Sequence, residues 1–289
     1  MASANNAAII GGNQNTASGD TSTIGGGYHN VASGPDAFIG GGNENQATNF
    51  DDAVGGGFKN TASGGTAFVG GGAYNAASGF RAALSGGEGN SASGQYSVVP
   101  GGYNNAATND FSFAAGRRAK ANHPGTFVWA DSTDADVAST TNNQFSVRAS
   151  GGVVFYSDPT AAFGAYLPLG GGAFSSLSDR NAKTNNTIVD GRDVLDRLAA
   201  IQIGTWNYRS QADSVRHIGP MAQDFARAFG VGEDDKHIST VDADGVALAA
   251  IQGLNLKLQD ELKKRDAENA QLKMRLDTLE RMLNQIAEK

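Results

Sequence analysis

Cysteine is absent from the 289-residue chain. That excludes a disulfide framework and a thiolate zinc site, and it leaves the redox compartment open. Six prolines accompany forty glycines, and the glycines follow no three-residue period, so a collagen triple helix is excluded as well. Basic residues are outnumbered, 22 Lys and Arg against 29 Asp and Glu, for a net charge of −7. Nucleic-acid binding would need a basic face instead. No apolar run approaches the roughly eighteen residues of a membrane-spanning helix. Met1-Ala-Ser-Ala-Asn-Asn has neither the basic start nor the apolar segment of a signal peptide. Nothing in the sequence calls for a metal or a cofactor. The abrupt start inside a repeat suggests a piece of a longer protein, with room for an anchor upstream. With aromatics at 8%, stability has to come from packing small residues or from assembly.

What is present is a repeat. Asparagine recurs at Asn15, Asn30, Asn45, Asn60, Asn75, Asn90 and Asn105, a period of fifteen. Each follows a Gly-Gly pair such as Gly56-Gly57, and each is followed by a unit such as Ala62-Ser63-Gly64. Ile9, Ile24, Ile39, Val54, Val69, Leu84 and Val99 keep the same phase. A helical-hairpin repeat needs more than about thirty residues, so fifteen predicts two short strands and two tight turns, one coil of a β-solenoid. Gly and Asn tolerate the positive φ of such turns. In-register stacking predicts a ladder of asparagine amides along the solenoid. One strong aliphatic per coil makes a thin core, which predicts burial of further apolar surface between copies, with three chains around an axis as the simplest closure.

The unit Gly-Gly-x-x-Asn-x-Ala-Ser-Gly resembles the head repeat of YadA-like trimeric adhesins. That resemblance covers about residues 1–120. It implies a trimeric left-handed parallel β-roll in an exposed position, binding a host-surface receptor (glycan or protein) or serving only as a rigid stalk.

The rhythm breaks at Arg117-Arg118-Ala119-Lys120. Residues 121–177 read as a β connector with strands at Thr126–Ala130, Gln144–Arg148 and Gly152–Tyr156, whose aromatics would cap the solenoid. Isolated His123 reads as a turn residue. Gly170-Gly171-Gly172 is a flexible joint.

Beyond it, Ser178-Asp179-Arg180-Asn181-Ala182-Lys183 places a hydroxyl and an amine five residues apart at the seam between two compositions. A serine needs a base to become a nucleophile, and a lysine serves when desolvated or set beside a cation such as Arg180. From spacing alone the stronger reading is a turn cap at Ser178 or Asp179 and a solvated Lys183. The context changes that balance. Ser-Asp-x-x-x-Lys, then Arg216-His217-Ile218-Gly219-Pro220-Met221-Ala222-Gln223-Asp224-Phe225, then Asp244-Gly245-Val246-Ala247 resemble, in order, the intramolecular chaperone domain of endosialidase-type phage tailspikes. That resemblance covers residues 178–289. It implies a module that trimerises, templates the β-structure upstream and then releases itself as a single-turnover serine endopeptidase.

Carried over by position, Ser178 is the nucleophile and Lys183 the base, with Asp179 and His217 as supporting candidates. Many members carry an arginine three residues after the serine, where this chain has Asn181; Arg180 stands one place earlier. Geometry favours a cut at Leu177–Ser178, because attack by Ser178 on its own carbonyl would close a four-membered ring. Ser178–Asp179, cut through the Asp carboxylate, is second. No oxyanion donor can be named from the sequence. Asp224 reads as a surface or cap residue.

The module itself reads as α+β over 178–245, with a helix at Asp193–Leu198, a strand at Ile203–Tyr208 and a helix at Ala222–Ala228. A trimeric coiled coil follows over 246–289. Ile251, Leu258, Leu272, Leu279 and Ile286 form one seam position, and Leu262, Leu276 and Leu283 the other, with Arg265 and Asn269 interrupting. The expected fold class is therefore mainly β plus α+β. The expected protein is a homotrimeric fibre of a virion tail or a bacterial surface. The alternative is a trimeric cell-surface adhesin with a non-cleaving trimerisation module, although a charged coiled coil is not the β-barrel anchor of autotransported adhesins. No carboxylate pair in the repeats supports a sugar-cleaving tailspike.

Overall fold

The computed structural model describes residues 1–287 and divides into two compact units, Met1–Ser175 and Ser176–Lys289. The last two residues of the coiled coil expected over 246–289 lie outside the described ones.

The first unit is a parallel β-solenoid of about nine turns. Each coil gives a two-residue strand to each of two ladders, and successive coils pair one repeat apart, Ile9 beside Ile24 and Ala17 beside Ala32. The turns run through left-handed backbone at two positions per coil, as at Asp51 and Lys59 or Thr66 and Tyr74. Glycine is required at one further position. Gly57 has φ 93°, and a Cβ there would stand 2.2 Å from the Gly72 carbonyl oxygen and 2.6 Å from Asn60 Nδ2.

Three stacked columns fill the interior. Ile24, Ile39, Val54, Val69, Leu84 and Val99 form the first, and the alanines from Ala17 to Ala107 the second, all fully buried. The third holds Ser22, Ala37, Ala67, Ala82 and Ser97, with Asp52 among them. That buried carboxylate accepts backbone N–H bonds from Asn49, Gly65 and Ala67 at 2.8–2.9 Å. A buried polar group so hydrogen-bonded avoids the cost of unpaired burial.

The asparagine column differs from a simple amide ladder. Asn60 Oδ1 accepts the backbone N–H of Asn75 at 3.1 Å, and Asn60 Nδ2 donates to the carbonyls of Gly56 and Gly72, each at 2.9 Å. Direct amide-to-amide bonds occur at Asn30–Asn15 (3.2 Å) and Asn90–Asn75 (3.1 Å). The turns leave backbone donors and acceptors inside the coil, and satisfying them outweighs pairing the side chains with each other.

The repeat expected to end near residue 120 gives way to further coils. Both ladders run on, one to Phe145–Arg148 and the other to Val137–Ala138. Phe113, Phe127 and Phe145 stack in sequence, with centroids 4.5 and 4.8 Å apart, so they extend the ladder rather than cover it. The charged break at Arg117-Arg118 is absorbed by ion pairs with Asp134 and Asp136. The last coil is tied by Arg148, which pairs with Asp131 at 2.8 Å and donates to the Thr133 and Ala135 carbonyls. His123 Nδ1 lies 2.8 Å from Ser139 Oγ. Beyond the solenoid, Val153–Tyr156 pairs antiparallel with Gly164–Leu167.

Among its described residues the second unit has three α-helices, α1 (Gly191–Ala200), α2 (Ala222–Phe229) and α3 (Thr240–Ala287), with an antiparallel hairpin of Gly204–Trp206 and His217–Gly219. Asp190 caps α1 through the Arg192 N–H, and Gly230, at φ 64°, ends α2. The α1–α3 contact is made by glycines: a Cβ on Gly253 would stand 2.0 Å from the Gly191 carbonyl oxygen. Ala249 and Ala250 are buried beside it, and Arg192–Asp260 and Lys257–Asp196 ion pairs flank it. Along the rest of α3 the seam residues are exposed, from Ile251 at 63% to Ile286 at 71%.

Candidate functional site

The seam at Ser178 folds as one turn of 3₁₀-helix, Arg180–Ala182. Asp179 is its N-cap: Oδ1 accepts the Asn181 N–H at 2.9 Å and the Asn181 side-chain amide at 3.2 Å. The turn closes with the Ala182 N–H on the Asp179 carbonyl and the Lys183 N–H on the Arg180 carbonyl, each at 3.2 Å. A residue before the turn and one just after it thereby meet on one side. Lys183 Nζ donates to Ser178 Oγ at 2.7 Å.

Ser178 and Lys183 line an open groove of about 330 Å³ together with Arg180, Thr184 and Asn186. Ser178, Lys183 and Asn186 are all at the surface. Leu177, on the N-terminal side of Ser178, has a half-exposed side chain.

Of the residues singled out from the sequence, Ser178 and Lys183 are in contact. Asp179 is adjacent, but its carboxylate is held by Asn181 and touches neither of them. His217 is elsewhere. It lies on the hairpin, with Nε2 3.0 Å from Gln211 Oε1 and its ring against Trp206 and Tyr208. Its neighbour Arg216 donates to the Thr205 carbonyl and hydroxyl across the hairpin. That second motif thus builds the hairpin in this chain, and Phe225 is buried where α2 packs. Asp224 pairs with Arg227 on the surface of α2.

Thr184 and Asn186 were not visible as site residues. Asn185 lies between them at φ 54°, a left-handed kink that asparagine tolerates. The only sequence signal was the polar run Thr184-Asn185-Asn186-Thr187, which marks a turn and nothing more specific. Among the described residues no group of His, Cys, Asp or Glu is arranged to hold a metal ion.

Residues 178–230 match the family described as Chaperone of endosialidase, a self-cleaving peptidase and chaperone domain. The match begins at Ser178 and takes in the 3₁₀ turn, α1, the hairpin and α2. No curated protein matches the chain. A β-solenoid joined to such a domain fits an endosialidase-like tail fibre. No described helix is long and apolar enough to cross a membrane.

Proposed function

We propose that this chain is one third of a trimeric fibre whose C-terminal module drives assembly and then cuts itself away at Leu177–Ser178. The observation that carries the reading is the 2.7 Å contact between Lys183 Nζ and Ser178 Oγ at the first residue of the matched segment. In the proposed reaction neutral Lys183 takes the Ser178 hydroxyl proton as Oγ attacks the Leu177 carbonyl carbon. The proton passes to the Ser178 amide nitrogen, the C–N bond breaks, and an ester joins Leu177 to Oγ. Water then hydrolyses the ester, leaving a Leu177 carboxylate and a free Ser178. Lysine acts as a base when desolvated or beside a cation. Arg180 is the cation on the groove wall, and the open groove leaves desolvation to whatever covers it on assembly.

The trimer rests on α3. An amphipathic helix of 48 residues with its heptad leucines exposed is the usual half of a helix–helix interface. Three parallel copies would make a coiled coil, and would set three solenoids in register as a left-handed β-roll. Joining the chains first lowers the entropy cost of beginning an interchain β-structure. The released fibre, residues 1–177, would stand on a virion tail or a bacterial surface, with its head facing a receptor.

Intact-mass measurement of wild type beside Ser178→Ala and Lys183→Ala tests the reading. Two fragments meeting at 177/178 in wild type, with full-length chain in both variants, are expected. Fragments meeting at 178/179 would move the cut to the neighbouring bond. Full-length chain in all three, folded and trimeric, would leave a structural trimer of the adhesin kind.

A further inference from the structure

Residues 153–174 place their apolar side chains differently from the solenoid. There each strand turns one face to the core, and the outward positions of one ladder alternate large and small, as at Phe38, Ala53, Phe68, Ala83 and Val98. The hairpin of Val153–Tyr156 and Gly164–Leu167 leaves apolar side chains uncovered on both of its faces. Val154 and Tyr156 share one face with Tyr166, which stands opposite Val154. Phe155 belongs to the other face, with Phe174 beside it at 6.0 Å between ring centroids. These five side chains are 42–59% exposed. A strand apolar on both faces has the pattern of one that is buried on both. Two such strands alone are marginal in water.

Charge narrows what can cover them. Between Arg148 and Asp179 the one charged residue is Asp158. Its carboxylate accepts the N–H groups of Thr160, Ala162 and Phe163 inside the turn that joins the two strands. The surface is therefore neutral and apolar, with nothing to match a charged partner. A second copy of the chain carries the same surface and needs no charge to match it. Position in the chain favours that occupant as well. The hairpin lies on the fibre side of the Leu177–Ser178 bond, whereas α3 lies beyond it and leaves on cleavage. We propose that residues 153–174 of three copies close on one another as an apolar collar that holds the fibre together after the module has gone, an inference that rests on the trimer and the cut proposed above. In assembly α3 supplies the effective concentration at which the hairpins meet. Identical surfaces set around one axis then cover each other.

Wild type is compared with the double variant Phe155→Thr with Tyr166→Thr, in which threonine keeps the strand preference and removes the large apolar surface. Intact mass reads cleavage of the full chain, and light scattering after size-exclusion chromatography reads the mass of the released 1–177 fragment. Wild type is expected to release a trimer. The double variant is expected to cleave as wild type does and to release a monomer, a threefold fall in mass, with its β-structure retained by circular dichroism. A variant fragment that stays trimeric overturns the collar and gives the joint to the solenoid face of Phe38 and Phe68. A monomeric wild-type fragment, or a variant fragment that has lost its β-structure, overturns it too. In Ser178→Ala the same two substitutions should leave the uncut chain trimeric on α3. An uncut monomer there would overturn the collar as a seal that acts after cleavage. Full-length wild type would overturn the underlying reading instead.

Discussion

The two units bury apolar surface in opposite ways. In the solenoid every aliphatic of the main column from Ile24 to Val99 is fully covered, because each coil is roofed by the next. In the second unit the largest apolar residues of α3 are uncovered, and among the described residues of that helix only Ala249, Ala250 and Gly253 are buried. Repetition lets a chain complete its own core in one dimension. A long amphipathic helix cannot do so, since its stripe needs a partner of equal length. The solenoid thus covers its aliphatic column within one chain while Phe38, Phe68 and Val98 stay exposed on it, and α3 leaves its apolar stripe uncovered.

The contrast is broken most completely by attacking α3. Leu272→Glu with Leu276→Glu should convert the assembled chain to monomer and prevent self-cleavage, as read by light scattering and intact mass. An unchanged oligomer would mean that the solenoid alone holds the copies together. Next in size is Gly253→Leu. Its side chain would enter backbone of α1, and overpacking of this kind costs about 1–3 kcal/mol or more. The melting transition of the second unit should fall while that of the solenoid stays; a shift of both would show that the units are not independent.

Within the solenoid, Asn60→Ala strands the Asn75 N–H and the Gly56 carbonyl, and should cost on the order of 3 kcal/mol in denaturant unfolding. A cost no larger than that of an exposed Ala substitution would remove the asparagine column from the account of stability. Val69→Ala, which shaves one covered side chain, should cost about 2 kcal/mol in the same experiment.

The smallest effect concerns acid. Asp131 is held well below its ordinary value of 3.8, first by the Ser150 N–H and hydroxyl and then by the Thr133 N–H and Arg148. A depressed carboxylate adds stability that is fully present above its unfolded value and is lost as pH falls through the folded one. The protection of amides near Arg148, taken against their intrinsic exchange at each pH, should therefore fall below about pH 4 in wild type. Asp131→Asn should be less protected at neutral pH and show less change with acid. Identical pH profiles for the two would discount the clamp.

The period of fifteen was sufficient to predict coils, their two strands and the core phase of Ile24 and Val69, because stacking in register makes every coil a copy of its neighbour. The helices and strand of the second unit were similarly legible from local pattern and caps such as Gly230. The spacing of Ser178 and Lys183 permitted a contact without requiring one. Sequence periodicity could not follow the solenoid past Arg117, since the coils from 119 to 148 keep their ladder partners while the spacing between them changes, Phe113 pairing with Phe127 and Phe127 with Phe145. Only the folded chain shows that Asn60 bonds to backbone, that Gly253 meets Gly191, that His217 belongs to the hairpin, and that Asn186 shares a groove with Ser178. These are facts about where backbone groups and distant segments come to rest. A linear pattern records which residues are alike; which unsatisfied groups face each other is decided when the chain closes on itself.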